Sequence, residues 1–68
     1  MKRLGKYLKK KRFNLNLTQA QVAEMIGVTT YYYSYLERDM IDNPRPSTVE
    51  KISKYTGLTV EQIKKMLW

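Results

Sequence analysis

The segment that most constrains the fold runs from Thr18 to Glu37 and reads TQAQVAEMIGVTTYYYSYLE. Thr18 followed three residues later by Gln21 is typical of a capping box, in which two side chains satisfy free backbone groups at the start of a helix. Gly27 falls where a chain can leave a helix through the left-handed region, because glycine has no Cβ to clash there. Thr29 is then placed to cap a second helix. The segment therefore predicts two short helices joined by a tight turn at Gly27-Val28.

The second of these helices has two chemically different sides when successive residues are placed about 100° apart. One side is mostly apolar and carries Tyr33, Leu36 and Glu37. The other side is polar and aromatic and carries Tyr31, Ser34, Tyr35 and Arg38. A helix–turn–helix whose second helix has an apolar back and a polar, aromatic front has the form of an element that reads DNA.

Composition narrows the class of protein further. The 68 residues suffice for one domain and contain no cysteine and no histidine, so we expect packed helices without a disulfide or a metal site. Thirteen Lys and Arg residues against six acidic residues give a formal net charge of +7. Such an excess can simply keep a small protein soluble, but beside a helical reading element it favours a nucleic-acid partner.

Other classes of protein are disfavoured by what the sequence lacks. No apolar run approaches the roughly 18 residues of a membrane span, and Met1-Lys2-Arg3 leads into lysine-rich sequence rather than an apolar signal segment. We therefore expect a cytoplasmic protein without membrane contact. The acidic residues form no paired constellation and there is no glycine-rich phosphate loop, so we expect neither an enzyme nor a bound cofactor.

Another helix is predicted before the central pair, and a loop after it. The first helix lies within Met1 to Asn14 and ends near Asn14, because asparagine tolerates the left-handed backbone of a helix exit better than most residues. We expect Leu15 and Leu17, which follow, to enter the core. Residues 38–46 contain two prolines and no helical stripe, so they are predicted to form a loop.

The last two helices carry their own start signals. The stretch Ser47 to Glu50 has the spacing of a capping box, so helix four is expected to begin at Ser47 and to end at Gly57. The stretch Thr59 to Gln62 repeats this spacing and is expected to begin helix five. Together these signals predict a single all-α domain over residues 1–68, built as a compact five-helix bundle that contains a helix–turn–helix.

The sequence also resembles a known family. The residues that carry the resemblance are Leu4-Gly5, Leu8, Arg12, Leu17-Thr18-Gln19, Val22-Ala23, Gly27-Val28, Tyr33-Ser34 and Leu36-Glu37. They are similar to the Cro and phage-repressor type, or xenobiotic-response-element type, of helix–turn–helix protein. The loop with Asn43-Pro44 and the run Val49-Glu50-Lys51-Ile52-Ser53 resemble the SinR-like branch most. The resemblance implies a lambda-repressor-like fold that binds operator DNA as a dimer and blocks transcription; the tyrosine cluster is unusual for the family.

The resemblance implies that bases are contacted by residues of the second helix of the pair. These residues lie at the start of that helix and one turn further on. In the family pattern these positions are the first, the second and the one four further on, which here are Thr30, Tyr31 and Tyr35, with Ser34 beside them. A tyrosine can form one hydrogen bond with a base and pack its ring against a thymine methyl group. The adjacent tyrosines cannot all be core, because residues about 100° apart do not share a face. We therefore place Tyr33 in the core and Tyr31 and Tyr35 on DNA.

The DNA backbone is expected to be held by residues around this helix. The resemblance implies contacts from Thr18, Gln19 and the first amides of helix two, where a helix N-terminus offers free N–H donors and partial positive charge. Further candidates for phosphate contacts are Tyr32, Arg38, Asn43, Arg45 and Lys11. For Tyr32 and for the basic run that includes Lys11, the alternative is a solvated side chain that does not touch DNA.

Two further expectations concern stability and assembly. The resemblance implies a partly buried ion pair between Arg12 and Glu37, and Glu37 independently falls on the inward side of its helix, where a carboxylate needs a partner. The alternative is two solvated charges. The end of helix five is expected to form a dimer interface through Met66, Leu67 and Trp68, the alternative being that these side chains fold back on the domain's own core.

These observations predict a sequence-specific DNA-binding transcriptional repressor that binds double-stranded operator DNA as a homodimer. Two other functions stay open on the sequence. One is the DNA-binding antitoxin of a toxin–antitoxin pair, whose partner would be a protein. The other is a helix–turn–helix that serves as a protein-interaction module, which the basic excess and the Thr18-Gln19 cap disfavour.

Overall fold

A computed structural model of the chain describes residues 3–67. Its five helices are α1 Leu4–Asn14, α2 Gln19–Ile26, α3 Thr30–Glu37, α4 Pro46–Thr56 and α5 Val60–Met66. Within these residues there is no β-strand, and the helices pack into one compact body with a Cα radius of gyration of 10.5 Å. The predicted all-α, five-helix fold is confirmed.

Local capping chemistry sets the starts of two of these helices. The amide of Gln21 donates to Thr18 Oγ1 at 3.1 Å, and the amide of Thr18 donates to Gln21 Oε1 at 2.8 Å. The same reciprocal pair joins Thr59 and Gln62 at the start of α5. Two of the three predicted capping boxes are therefore confirmed, and α2 ends as predicted at Gly27, which has a φ of 74°.

The start of α4 differs from the prediction. Helix α4 begins at Pro46 rather than Ser47, and its N-cap residue is Arg45, whose side chain makes no capping hydrogen bond. The predicted capping box between Ser47 and Glu50 is wrong. Proline is favoured at the first helical position because its φ is already helical and its missing N–H would have no partner there. Pro46 therefore starts the helix before Ser47 can cap it.

The exit from α1 also corrects one expectation. Helix α1 ends at Asn14, as predicted, and Asn16 adopts a left-handed φ of 55°. Leu17 packs against the core, but Leu15 is 48% exposed, so its predicted burial is wrong. The chain turns inward at Asn16, after Leu15 and before Leu17, and this order explains why only Leu17 reaches the core.

The core lies between α3 and the two helices α1 and α2, and it extends through α2 to α4 and α5. Helix α3 packs on both α1 and α2, while α4 packs on α2 and α5. The buried apolar residues come from all five helices and the residue after α5: Leu4, Leu8, Val22, Ala23, Ile26, Tyr33, Leu36, Val49, Ile52, Ile63 and Leu67. Helix α3 is therefore held by its apolar side, which leaves its other side for a ligand.

The N-terminus of α1 is anchored on the end of α3. A Cβ added at Gly5 would lie 2.4 Å from the carbonyl oxygen of Glu37, so only glycine allows the two backbones to approach this closely. The amide of Gly5 donates to Asp39 Oδ1 at 2.8 Å, while Arg3, the N-cap residue of α1, makes no side-chain cap. Asp39 thus caps α1 from a distant part of the chain, a contact that the sequence pattern did not indicate.

Candidate nucleic-acid interface

Helix α3 presents opposite chemistry on its two sides. At its start, the amide of Tyr32 donates to Thr29 Oγ1 at 3.0 Å, so Thr29 caps the helix. Tyr33 is fully buried, whereas Tyr31 is 70% exposed. Tyr33 therefore lies in the core and Tyr31 on the surface, as expected, while Tyr35 is half-buried.

The exposed side of α3 is an ordered stack rather than a set of independent side chains. The rings of Tyr31 and Tyr35 have centroids 5.0 Å apart and are tilted by 35°. The guanidinium of Arg38 lies 4.8 Å from the centroid of Tyr35, and its Nη2 donates to Ser34 Oγ at 3.3 Å. We call Thr30, Tyr31, Ser34, Tyr35 and Arg38 the read face. The structure brings together the four predicted base-reading residues and one predicted phosphate contact on this face.

A groove flanks the read face between the starts of α3 and α4. Tyr32 and Arg45 line this open groove of about 310 Å³, together with Gly27, Val28, Thr29, Ser47 and Thr48. Burial raises the pKa of Tyr32 and the neighbouring positive charge of Arg45 opposes this, so the phenol stays a neutral hydrogen-bonding group. Two helix N-termini and one arginine make the groove favourable for an anion such as a DNA phosphate. Asn43, a third predicted phosphate contact, is exposed in the loop and does not line this groove.

The predicted phosphate contacts at the start of α2 have partners within the domain. The hydroxyl of Thr18 accepts the capping hydrogen bond from Gln21. The side-chain amide of Gln19 donates from Nε2 to Glu37 Oε1 at 3.0 Å. Sequence reasoning assigned Gln19 to DNA and missed this inward bond. Because α2 and α3 are joined through it, Gln19 contributes to the position of the recognition helix whatever else it contacts.

Arg12 and Glu37 meet in a buried, bidentate ion pair behind the read face. Arg12 Nε donates to Glu37 Oε2 at 2.7 Å and Nη2 donates to Oε1 at 3.1 Å, while Nη1 donates to the carbonyl oxygen of Leu17 at 3.1 Å. The two residues are only 8% and 9% exposed. Burial would raise the pKa of Glu37, but the neighbouring polar groups of Arg12, Tyr33 and Gln19 lower it overall. The pair fixes α1 to the end of α3.

Two buried phenols lie near this pair. The hydroxyl groups of Tyr33 and Tyr55 are buried, and the Tyr33 hydroxyl lies close enough to the Glu37 carboxylate to lower the pKa of that group. Burial is the main reason why the pKa of both phenols is raised, so both stay neutral over the whole physiological range. Their rings therefore belong to the packed interior and not to the surface that could contact DNA.

The remaining predicted site residues lie apart from the read face. Lys11 lies on α1 in a surface depression with Tyr7, Lys10 and Asn14, which the structure does not join to the groove beside α3. At the other end of the chain, Leu67 is 8% exposed and packs in the domain's own core. This corrects the expectation that its side chain is available to a second copy. Met66 is half-buried against the same core, and Trp68 lies outside the described residues.

Among residues 3–67 there is no group of acidic residues that could hold a metal ion. No helix in this part of the chain is long and apolar enough to cross a membrane. The read face and its flanking groove therefore form the candidate site.

The fold and this site define a DNA-binding protein of the helix–turn–helix class. A family model described as Helix-turn-helix matches residues 8–63, which is most of the chain. The protein belongs to this family, in its Cro and phage-repressor type, whose members are DNA-binding transcription regulators and generally not enzymes. No curated protein and no solved structure matches the chain.

Proposed function

We propose that this regulator is a cytoplasmic repressor that binds a palindromic operator as a homodimer. The observation that carries the proposal is the read face, where the exposed Tyr31 and Arg38 contact the half-buried ring of Tyr35 on a helix whose other side is buried. Proteins of this form place such a helix in the major groove, where base edges are distinguishable. Occupancy of an operator by the domain would block access of polymerase to the promoter.

Contacts to the DNA backbone would fix the register of α3 in the groove. The groove with Tyr32 and Arg45 lies beside the read face and offers positive charge and helix N-termini to a phosphate. The net charge of +7 adds a long-range attraction that is independent of sequence. Backbone contacts of this kind position a protein without specifying bases, so specificity is left to the read face.

The homodimer is proposed because a single read face covers only a few base pairs. A twofold dimer would set two recognition helices about one DNA turn, roughly 34 Å, apart. Since Leu67 is in the core, Met66 is the predicted interface residue that keeps part of its surface free among those described. Contacts between such small surfaces are weak, and we expect the dimer to form fully only on DNA.

Selection of bound sequences from a random pool of duplexes tests the proposal directly. The expected product is a palindrome whose half-site centres lie about one turn apart. Gel-shift titration should then give two subunits per duplex, with weaker binding to a half-site alone. Substitution of Met66 by glutamine, which has a similar length and adds no charge, should reduce cooperativity on the palindrome more than it reduces binding to a half-site. Enrichment of no sequence would contradict the proposal, and copurification of a small partner protein that is needed for binding would favour the antitoxin function instead.

A further inference from the structure

We infer that Tyr31 and Tyr35 recognise the C5-methyl groups of thymines, so that methyl groups in the major groove supply a large share of the protein's specificity. This inference rests on the proposed function, since it requires the read face to lie against base edges. It goes further by naming the chemical group that is read and the two side chains that read it.

The rings of Tyr31 and Tyr35 are placed to contact neighbouring base pairs together. Tyr31 and Tyr35 are the second and sixth residues of α3, one turn apart on the same side, with ring centroids separated by 5.0 Å. A turn of helix rises about 5.4 Å and a base-pair step about 3.4 Å, so a pair of rings one turn apart covers one to two neighbouring base pairs. The two rings can therefore present one apolar surface to adjacent bases.

The apolar surface formed by the rings of Tyr31 and Tyr35 is preformed. The ring of Tyr35 contacts two neighbours: its centroid lies 5.0 Å from that of the Tyr31 ring and 4.8 Å from the guanidinium of Arg38. Arg38 is itself held by its hydrogen bond to Ser34 Oγ. A side chain that is ordered before binding loses less conformational entropy on binding. Contact with a methyl group is too weak to order a mobile ring, but it can contribute to the affinity of a ring that is already ordered.

The read face has little capacity for the paired hydrogen bonds that distinguish bases. Bidentate contacts from Arg, Lys, Asn or Gln distinguish bases by paired donors and acceptors. The read face contains only hydroxyl groups and Arg38, and the Arg38 guanidinium is stacked on Tyr35 and bonded to Ser34. A phenol offers one hydrogen bond, which several bases can satisfy. The thymine methyl is the apolar feature of the major groove, and aromatic rings are suited to contact it.

The expected effect follows from the free energy of removing one methyl group from water. Deletion of a single contacted thymine methyl should weaken binding about four-fold. In a palindrome the same contact occurs in both half-sites, so deletion of both methyl groups should weaken binding about 16-fold.

The experiment changes the DNA and leaves the protein intact. Each thymine of a selected operator is replaced in turn by deoxyuridine, which lacks only the methyl group, and the affinity of the full chain is measured by fluorescence anisotropy. We expect one or two thymines per half-site at which the replacement weakens binding about four-fold. Thymines outside the half-sites, replaced in the same way, serve as the control for changes in duplex flexibility.

Protein variants then test which side chains read the methyl group. Each of the variants Tyr31→Ala and Tyr35→Ala should lose the difference in affinity between thymine and deoxyuridine at one of the sensitive positions. Tyr35→Phe, which keeps the ring and loses the hydroxyl, should keep the full difference. Met25→Ala, which removes another exposed apolar side chain outside the read face, should also keep it.

The possible results separate the inference from the function on which it rests. If the wild-type protein selects an operator but deoxyuridine changes affinity at no position, the methyl inference is overturned and the proposed function stands. An operator without thymine in its half-sites overturns the inference in the same way. Absence of any sequence-specific binding overturns the proposed function, and the inference falls with it. Loss of the difference in Met25→Ala would also contradict the assignment to Tyr31 and Tyr35.

Discussion

At the scale of single residues, Glu37 connects the interior of the domain with the site. Its carboxylate accepts hydrogen bonds from Arg12 on α1 and Gln19 on α2, while its own helix carries the read face. A buried carboxylate is costly unless it is paired and hydrogen-bonded, and here both oxygen atoms have partners. The orientation of α3 therefore depends on one side chain that need not touch DNA.

We expect Glu37→Ala to leave the protein largely unfolded near physiological temperature. Removal of one partner from a buried ion pair costs about 3–5 kcal/mol because the other charge is stranded, and small domains have little more stability than this. Thermal melting followed by circular dichroism measures the effect, with the exposed carboxylate variant Glu24→Ala as the matched control. A melting temperature of Glu37→Ala within a few degrees of the parent would show that the pair contributes little.

Stability should also depend on pH through Glu37. Burial opposes ionisation of this carboxyl, but the neighbouring Arg12, Tyr33 and Gln19 together outweigh burial, so folding lowers its pKa below the usual 4.5. A group of this kind contributes stability above its unfolded pKa and loses the contribution as pH falls through the folded pKa. We expect a melting temperature that is flat above about pH 6 and falls below pH 4.5. Glu37→Gln should have a lower melting temperature than the parent at neutral pH, and its melting temperature should depend less on acid pH. The control Glu24→Gln should follow the parent at every pH. Parallel curves of melting temperature against pH for Glu37→Gln and the parent would contradict this.

Tyr35 should affect specificity more than folding. Tyr35→Ala removes the central ring of the read face and should cost about 1–3 kcal/mol of binding to the preferred site, with relaxed preference at one or two base pairs per half-site. Its binding to unrelated duplexes should barely change, because phosphate contacts are retained. Competition titrations against single-base operator variants measure the profile. Retention of the wild-type preference would show that Tyr35 is not a base-reading residue.

At the scale of elements, the contact between α1 and α3 depends on a missing side chain. In an exposed helix a Gly-to-Ala change stabilises by about 1 kcal/mol, but at Gly5 the new Cβ would meet the backbone of Glu37 at 2.4 Å. We expect Gly5→Ala to destabilise the domain by about 1–3 kcal/mol and to lower the melting temperature by at least about 4 °C. Lys6→Ala, one residue along on the exposed side of α1, is the control. A Gly5→Ala variant that is more stable than the parent would contradict this, because it would mean that α1 and α3 can move apart without a loss of stability.

The elements that the sequence predicted well are those with local causes. The starts of α2 and α5 follow from side chains three residues apart, and the turn at Gly27 follows from the absence of a Cβ. Tyr33 could be assigned to the core because neighbouring residues on a helix point in different directions. These signals lie within one helical turn and can be read from a single sequence.

What the sequence did not predict depends on contacts between distant residues or on competition between neighbouring signals. The bond from Gly5 to Asp39 spans 34 residues and that from Gln19 to Glu37 spans 18. No local pattern encodes such a pairing. At the start of α4, Pro46 and Ser47 both favour a helix start, and the proline prevails.

At the scale of the whole molecule, the charge of +7 should make DNA binding strongly dependent on salt. Each neutralised phosphate contributes about −0.9 to the slope of log affinity against log salt, so two subunits with a few contacts each should give a slope steeper than about −5. Arg45→Gln should reduce the magnitude of this salt slope by about 1 per subunit. Lys54→Gln, which removes an equal charge at the other end of α4, should have a smaller effect. Binding that is insensitive to salt would contradict the DNA-binding model.

The division of α3 into a buried and an exposed side has a consequence for how such proteins diverge. The residues that hold the helix, including Tyr33 and Glu37, are separate from those of the read face, although both sets alternate along the same short stretch from Thr30 to Arg38. Exposed substitutions usually change stability by less than about 0.5 kcal/mol, so most changes at Tyr31 would not bring the domain near its unfolding threshold. A lineage could therefore acquire new operators one substitution at a time, with every ancestor along the route folded and selectable.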